Sequence, residues 1–160
     1  PARRSSELIG DVTAKRRVRQ GFVSSLVARG TGTVINIASI VAIAPQILNG
    51  VYGGTKAFVL GLSQSMHHEL ADKGVRIQAV LPGATATDFW SEAGNPVENL
   101  PQEIVMSAAD MVDAALAGLA QGEVVTIPGL HDGEQWDRYE SQRKTLSGLF
   151  GNSTAASRYR

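Results

Sequence analysis

Tyr52 and Lys56 lie four residues apart, and Ser39 precedes the tyrosine by thirteen. Residues four apart are neighbours on one helix face, with about 5–6 Å between their Cβ atoms. That spacing has a chemical use. A phenol with a pKa near 10 is a poor base at neutral pH, but an ammonium group beside it stabilises the phenolate and lowers that pKa. A serine hydroxyl at the same place can hold a substrate oxygen while the phenol exchanges a proton with it. Ser39, Tyr52 and Lys56 together suit moving a proton on and off a carbinol or carbonyl oxygen. Thr85 and Thr87, just beyond Pro82-Gly83, offer two further hydroxyls.

These residues need elements to bring them together. Thr33-Val34-Ile35-Asn36-Ile37-Ala38 is a short, β-branched run that reads as a central parallel strand covered on both faces. From Tyr52 to about Lys73, Phe58, Leu62, Met66 and Leu70 step by four, which predicts a long helix that Gly74 can end. Val75 to Leu81 reads as a second strand, cut off by Pro82-Gly83. A helix around Ala108–Gln121 and a third strand over Glu123–Ile127 follow. Upstream, Val12, Val18, Phe22, Val23, Leu26 and Val27 recur at helical spacing up to Gly30, a C-cap candidate. Beyond Pro128-Gly129 the chain reads as a turn and a polar terminal extension to Arg160. Strand, helix, strand, helix, strand predicts an α/β domain with a parallel sheet and right-handed crossovers. In such a sheet ligands bind beyond the carboxyl ends of the strands, where Ser39, Tyr52, Lys56, Thr85 and Thr87 fall.

Composition agrees with one such domain. The chain has 160 residues and 16.9 kDa, 43% of it apolar and 19% charged, with no cysteine. Disulfides, cysteine–zinc sites and thiol catalysis are therefore excluded, and a reducing cytoplasm is the expected setting. Fifteen basic residues balance fifteen acidic ones. Residues 1–20 hold Arg3, Arg4, Lys15, Arg16, Arg17 and Arg19 against Glu7 and Asp11, but no aromatics interleave. That segment reads as a solvated helix face, not a nucleic-acid arm. No apolar run reaches the roughly 18 residues of a membrane span. Ser39 and Ser63 lack the flanking glycines of a hydrolase elbow, and His67-His68-Glu69 lacks the spacing of a zinc helix.

Asn36-Ile37-Ala38-Ser39, then Tyr52-Gly53-Gly54-Thr55-Lys56-Ala57, then Leu81-Pro82-Gly83 with Thr87 four beyond, resembles the catalytic half of the short-chain dehydrogenase/reductase family. The resemblance covers nearly everything from about Asp11 onward. It implies a Rossmann-type, doubly wound parallel sheet, N-terminally incomplete, in one partial domain over 1–160. Its parts would be a helix over 11–30, a catalytic core over 31–87, a substrate loop over 88–107, and a closing helix, strand and tail over 108–160. By the same resemblance Tyr52 is the general acid/base and Ser39 orients the substrate oxygen. Lys56 lowers the tyrosine pKa and holds the nicotinamide ribose of NAD or NADP, while Pro82, Gly83, Thr85 and Thr87 line the nicotinamide. Trp90 beside Thr87 is assigned to the substrate pocket, with the core as its other possible place. The partners implied are a small alcohol or carbonyl compound and further copies of the chain, as a homodimer or homotetramer.

Two departures qualify the match. The family's catalytic Asn aligns best with Asp11, which supplies acceptors but no amide donor. The glycine-rich, strand-to-helix turn that cradles the cofactor pyrophosphate has no counterpart, since Gly30-Thr31-Gly32 leads into a strand. The expected chain is thus the C-terminal catalytic portion of an NAD(P)-dependent oxidoreductase. A non-catalytic remnant serving as an interaction or structural module is the alternative.

Overall fold

The computed structural model describes residues 23–48, 50–92 and 94–160; Asp11 and most of the helix expected over 11–30 lie outside them. The chain divides into two compact units, Pro1–Gly129 and Leu130–Arg160.

In the first unit, α1 (Ser24–Arg29) stops at Gly30, which takes the left-handed conformation at φ 67° and returns its N–H to the Val27 carbonyl at 3.0 Å. Strand β1 (Gly32–Ile37) follows, then the long helix α2 (Gly50–Leu70) and a 3-10 turn closed by Gly74 at φ 69°. Strand β2 (Val75–Val80) runs parallel to β1, with Gly32 opposite Val75 and Ile37 opposite Val80. Gly74 has a second reason to be glycine: a Cβ there would strike the Gly30 carbonyl oxygen. After a short helix α3 (Phe89–Glu92), α4 (Ala108–Ala120) leads to β3 (Val125–Thr126), parallel to β2. Ser107 caps α4, its hydroxyl accepting from the Asp110 N–H at 3.0 Å. Among the described residues the sheet has the order β1-β2-β3. The third strand is shorter than Glu123–Ile127, because it is framed by a left-handed Gly122 and by Pro128, which has no N–H to pair.

The helices cover different faces. Ile77 and Val75 pack with Leu26, Met66 and Leu70, which puts α1 and α2 on one face of β2. Gln78, pointing to the other face, donates from Nε2 to the Ala115 carbonyl of α4 and to Thr126 Oγ1, each at 2.8 Å. Both crossovers step the same way along the sheet but pass on opposite faces. They therefore have opposite hands, and the uniform right-handedness expected from sequence does not hold. The connection from β2 to α4 runs through residues 81–107 before its helix begins, which loosens the coupling between strand twist and helix placement behind that rule.

The buried face of α2 also differs from the predicted stripe. Val59, Leu60, Ser63, Met66 and Leu70 are buried, whereas Phe58 is 38% exposed. A four-residue step advances about 40° beyond a full turn, so a series of such steps slides around the helix. Alternating steps of three and four hold one face.

The second unit contains α5 (Glu134–Ser147), where only a polar extension was expected. Asp132 accepts from the Glu134 N–H at 3.1 Å, and Arg138–Glu134 and Arg143–Glu140 pairs at 2.9 and 2.8 Å line its surface. Trp136 stacks on Tyr139 with ring centroids 5.2 Å apart. No residue of this unit is buried, so the helix shows no apolar stripe that periodicity could detect.

Candidate active site

The carboxyl ends of β1 and β2 gather the predicted residues. Beyond Ile37 the ladder continues for one bond, from the Ala38 N–H to the Val80 carbonyl at 2.7 Å, and the Ile40 N–H then reaches the Pro82 carbonyl at 3.0 Å. Ser39 sits between these two bonds in extended backbone, so its position is fixed by the sheet. It caps the 3-10 turn Ile40–Ala42, its Oγ lying 3.4 Å from the Val41 N–H and 3.4 Å from the Pro82 carbonyl.

Tyr52 and Lys56 come from the first turns of α2. The start of that helix lies against the Ser39 turn, where Gly53 is buried beside Pro45 and the Val41 carbonyl. The Tyr52 side chain is hydrogen-bonded to Ser39, which brings the two predicted hydroxyls together. Lys56 Nζ donates to the Ile37 carbonyl at 3.3 Å and lies 5.5 Å from the centre of the Tyr52 ring.

Burial raises the Tyr52 pKa above its ordinary value, and the hydrogen bond with Ser39 pulls it only part of the way back. The Lys56 ammonium stands over the ring, tethered to the end of β1. At neutral pH the phenol is protonated.

Past Pro82, which is buried, Gly83 is exposed and a Cβ there would meet only Ile40 Cδ1 at 3.8 Å. Thr85 is buried, its hydroxyl 3.4 Å from the Gly83 carbonyl, and Thr87 is exposed. Thr85 pairs with Met106 in an isolated parallel bridge, with Ala86 N–H to Met106 O and Met106 N–H to Ala84 O both at 2.9 Å. The segment between them thus leaves and rejoins the body at one point. Within it, Trp90 Nε1 donates to the Thr85 carbonyl at 2.9 Å, so this side chain is anchored to the neck of the loop. Its neighbour Phe89 had no sequence signal. The Phe89 ring lies 6.0 Å from the Tyr52 ring, tilted by 36°, and 5.5 Å from Trp90, edge to face. Only the tertiary path of the loop brings Phe89 to the phenol, so no spacing rule could have found it.

Residues 11–98, more than half of the chain, match the family model described as short chain dehydrogenase. The chain belongs to that family. A short-chain dehydrogenase from Sphingobium yanoikuyae, in complex with NADPH, is similar at 44% identity and a TM-score of 0.87, over 92% of this chain and 57% of that one. The bulky-bulky ketone specific alcohol dehydrogenase from Comamonas testosteroni, in its tetragonal crystal form, is 35% identical with a TM-score of 0.83, over 100% of this chain and 59% of that one. The (3R)-3-hydroxyacyl-CoA dehydrogenase of Homo sapiens is 34% identical over 96 residues, 59% of this chain and 34% of that protein. The chain spans less than two thirds of each of these relatives. Its fold is that family's α/β parallel sheet with helices on both faces, and no described helix is long and apolar enough to cross a membrane.

Proposed function

We propose that this chain carries the proton-transfer site of an NAD(P)-dependent alcohol dehydrogenase or ketone reductase. The observation that carries the reading is the hydrogen-bonded Ser39–Tyr52 pair with Lys56 one turn away, at the carboxyl ends of β1 and β2. The residues present fit the nicotinamide end of such a cofactor. An ammonium and a phenol suit a ribose diol, and the open space over Gly83 lets a flat ring approach the backbone. Lys56 and Tyr52 would hold the ribose, and Pro82, Gly83, Thr85 and Thr87 the ring and its carboxamide. When bound, the cofactor supplies or accepts the hydride.

The rest of the chemistry belongs to the chain. Ser39 Oγ hydrogen-bonds the substrate oxygen and orients it beside Tyr52 Oη. In reduction Tyr52 gives its proton to that oxygen; in oxidation it takes the proton back. The positive charge of Lys56 offsets the phenolate left after donation. In the direction of carbonyl reduction the phenol, whose pKa burial raises, acts as the proton donor. The same reading carries self-association as a homodimer or homotetramer, for which the exposed Val51 and Phe58 of α2 offer a surface, and a cytoplasmic setting.

The test is oxidation of NADH and NADPH with a panel of ketones, comparing the chain with its Tyr52→Phe variant. Loss of about 100-fold or more in kcat is expected for the variant, the scale of general acid catalysis. Turnover that survives Tyr52→Phe would overturn the reading. A folded chain that turns over nothing would favour the non-catalytic module.

A further inference from the structure

The proton-transferring phenol does not stand alone. One side of its ring is faced by Phe89, with centroids 6.0 Å apart, and Phe89 is in turn met edge-on by Trp90 at 5.5 Å. Trp90 is held by its indole N–H on the carbonyl of buried Thr85, and Thr85 is locked by its bridge to Met106. A chain of contacts therefore runs from the Thr85–Met106 bridge through Trp90 to the Phe89 ring. Phe89 itself remains 46% exposed. Burying a phenylalanine is favourable, so a large ring anchored this well but left open has surface available to another apolar group.

We propose that Phe89 is a specificity-determining residue, a stacking platform for a flat aryl substituent on the carbon whose oxygen meets Tyr52, and that Trp90 is its positioning residue. The inference rests on the reading of Tyr52 as proton donor, and it adds a substrate class: aryl ketones and the corresponding secondary alcohols. Aromatic pairs prefer offset or edge-to-face contact with centroids 4.5–7 Å apart. An aryl ring packed beside Phe89 can meet that geometry; a saturated ring of similar bulk gains burial but no quadrupole match. Anchoring Phe89 beforehand also removes the ordering cost that a mobile side chain would impose on binding.

Acetophenone and cyclohexyl methyl ketone form the probe pair, since they share the carbonyl and differ in whether the ring is flat. The readout is the ratio of their kcat/KM values for the parent chain, Phe89→Leu, Phe89→Ala and Trp90→Phe. Phe89→Leu keeps apolar bulk without a π-face, and is expected to lower the acetophenone preference by about five- to tenfold. Trp90→Phe keeps a ring but loses the donor to Thr85, and is expected to raise KM for acetophenone more than for the saturated ketone, with kcat nearly constant. A ratio that Phe89→Leu does not move overturns the platform, and equal KM changes for both ketones overturn the positioning role.

A second readout needs no turnover. Saturation-transfer NMR from the chain to the acetophenone ring protons, without cofactor, is expected in the parent and reduced by more than half in Phe89→Ala. No transfer in the parent, or equal transfer in both, overturns the proposal. Tyr52→Phe separates the two readings, because turnover that survives it sinks the acid–base assignment while the ring-proton signal still decides the platform.

Discussion

β1 and β2 run side by side with six residues each and similar chemistry, yet their surroundings differ. In β2 both faces are covered: Ile77 is 2% exposed against α1 and α2, and Val80 is 0% exposed on the face that α4 shares. In β1, among the described residues, only one face is covered. Val34 packs against the α1–α2 cluster and Asn36 donates to buried Ser63 of α2 at 3.0 Å, while Ile35 and Ile37, on the other face, are 39% and 47% exposed. The difference lies in reach. α4 stands over β2 and β3, and among the described residues nothing of comparable size stands over the same face of β1. Both strands carry the β-branched pattern of a strand covered on both faces, so sequence pattern records what a strand is suited to, and neighbouring elements decide how much of that is realised.

The largest effect expected from this contrast comes from truncating the two isoleucines. Ile77→Ala, which empties a filled site between helix and sheet, is expected to cost about 3 kcal/mol. Ile37→Ala is expected to cost less than about 1 kcal/mol, because the side chain is half in water already. Urea unfolding of both variants checks the pair. Equal costs, with the Ile37 cost growing with protein concentration, would break the contrast by showing that a second copy covers β1.

The turns that launch the two strands sharpen it at a smaller scale. Gly30 and Gly74 share almost the same backbone, at φ 67° and 69°, but a Cβ on Gly30 meets nothing within 4 Å whereas one on Gly74 meets the Gly30 carbonyl. Gly30→Ala is expected to cost about 1 kcal/mol, the penalty of a left-handed alanine. Gly74→Ala adds a backbone collision and is expected to cost about 2 kcal/mol or more. Thermal unfolding that finds the two equal would show that the strand entries can part without cost.

The smallest effect is a pH slope. Folding raises the Tyr52 pKa, through burial first and against the Ser39 hydrogen bond. Below about pH 10 the phenol is protonated in both states and contributes no slope. Above it the unfolded chain releases the proton first, so stability falls as pH rises. Tyr52→Phe should flatten the alkaline limb of a stability–pH curve relative to the parent; an unchanged limb would mean the phenol titrates freely.

The parts legible in the sequence were those written in local chemistry. β-branched runs marked β1 and β2, Gly30 and Gly74 marked helix ends, and Tyr52 and Lys56 sat one helical turn apart. What escaped was decided elsewhere. The burial that raises the phenol's pKa, and the direction Lys56 takes toward Ile37, are specified by tertiary packing and not by spacing. Opposite crossover hands follow from the long path between β2 and α4, and Phe89 reaches Tyr52 only through that same path. α5 is a helix with no buried face, and so lacks the one signal that periodicity reads.

The bridge between Thr85 and Met106 has a consequence for evolution and engineering. Two backbone hydrogen bonds clasp the loop where it leaves and returns, and backbone bonds are indifferent to side-chain identity. Closing a loop costs only slowly more as it lengthens, so the stretch between the clasps can be rewritten, shortened or extended at modest cost in stability. Ser39, Tyr52 and Lys56 lie outside the clasp. The segment is an exchangeable cassette: grafting a relative's loop between residues 88 and 106, which keeps Thr87, is a route to altering what the site accepts while the groups that move the proton stay where they are.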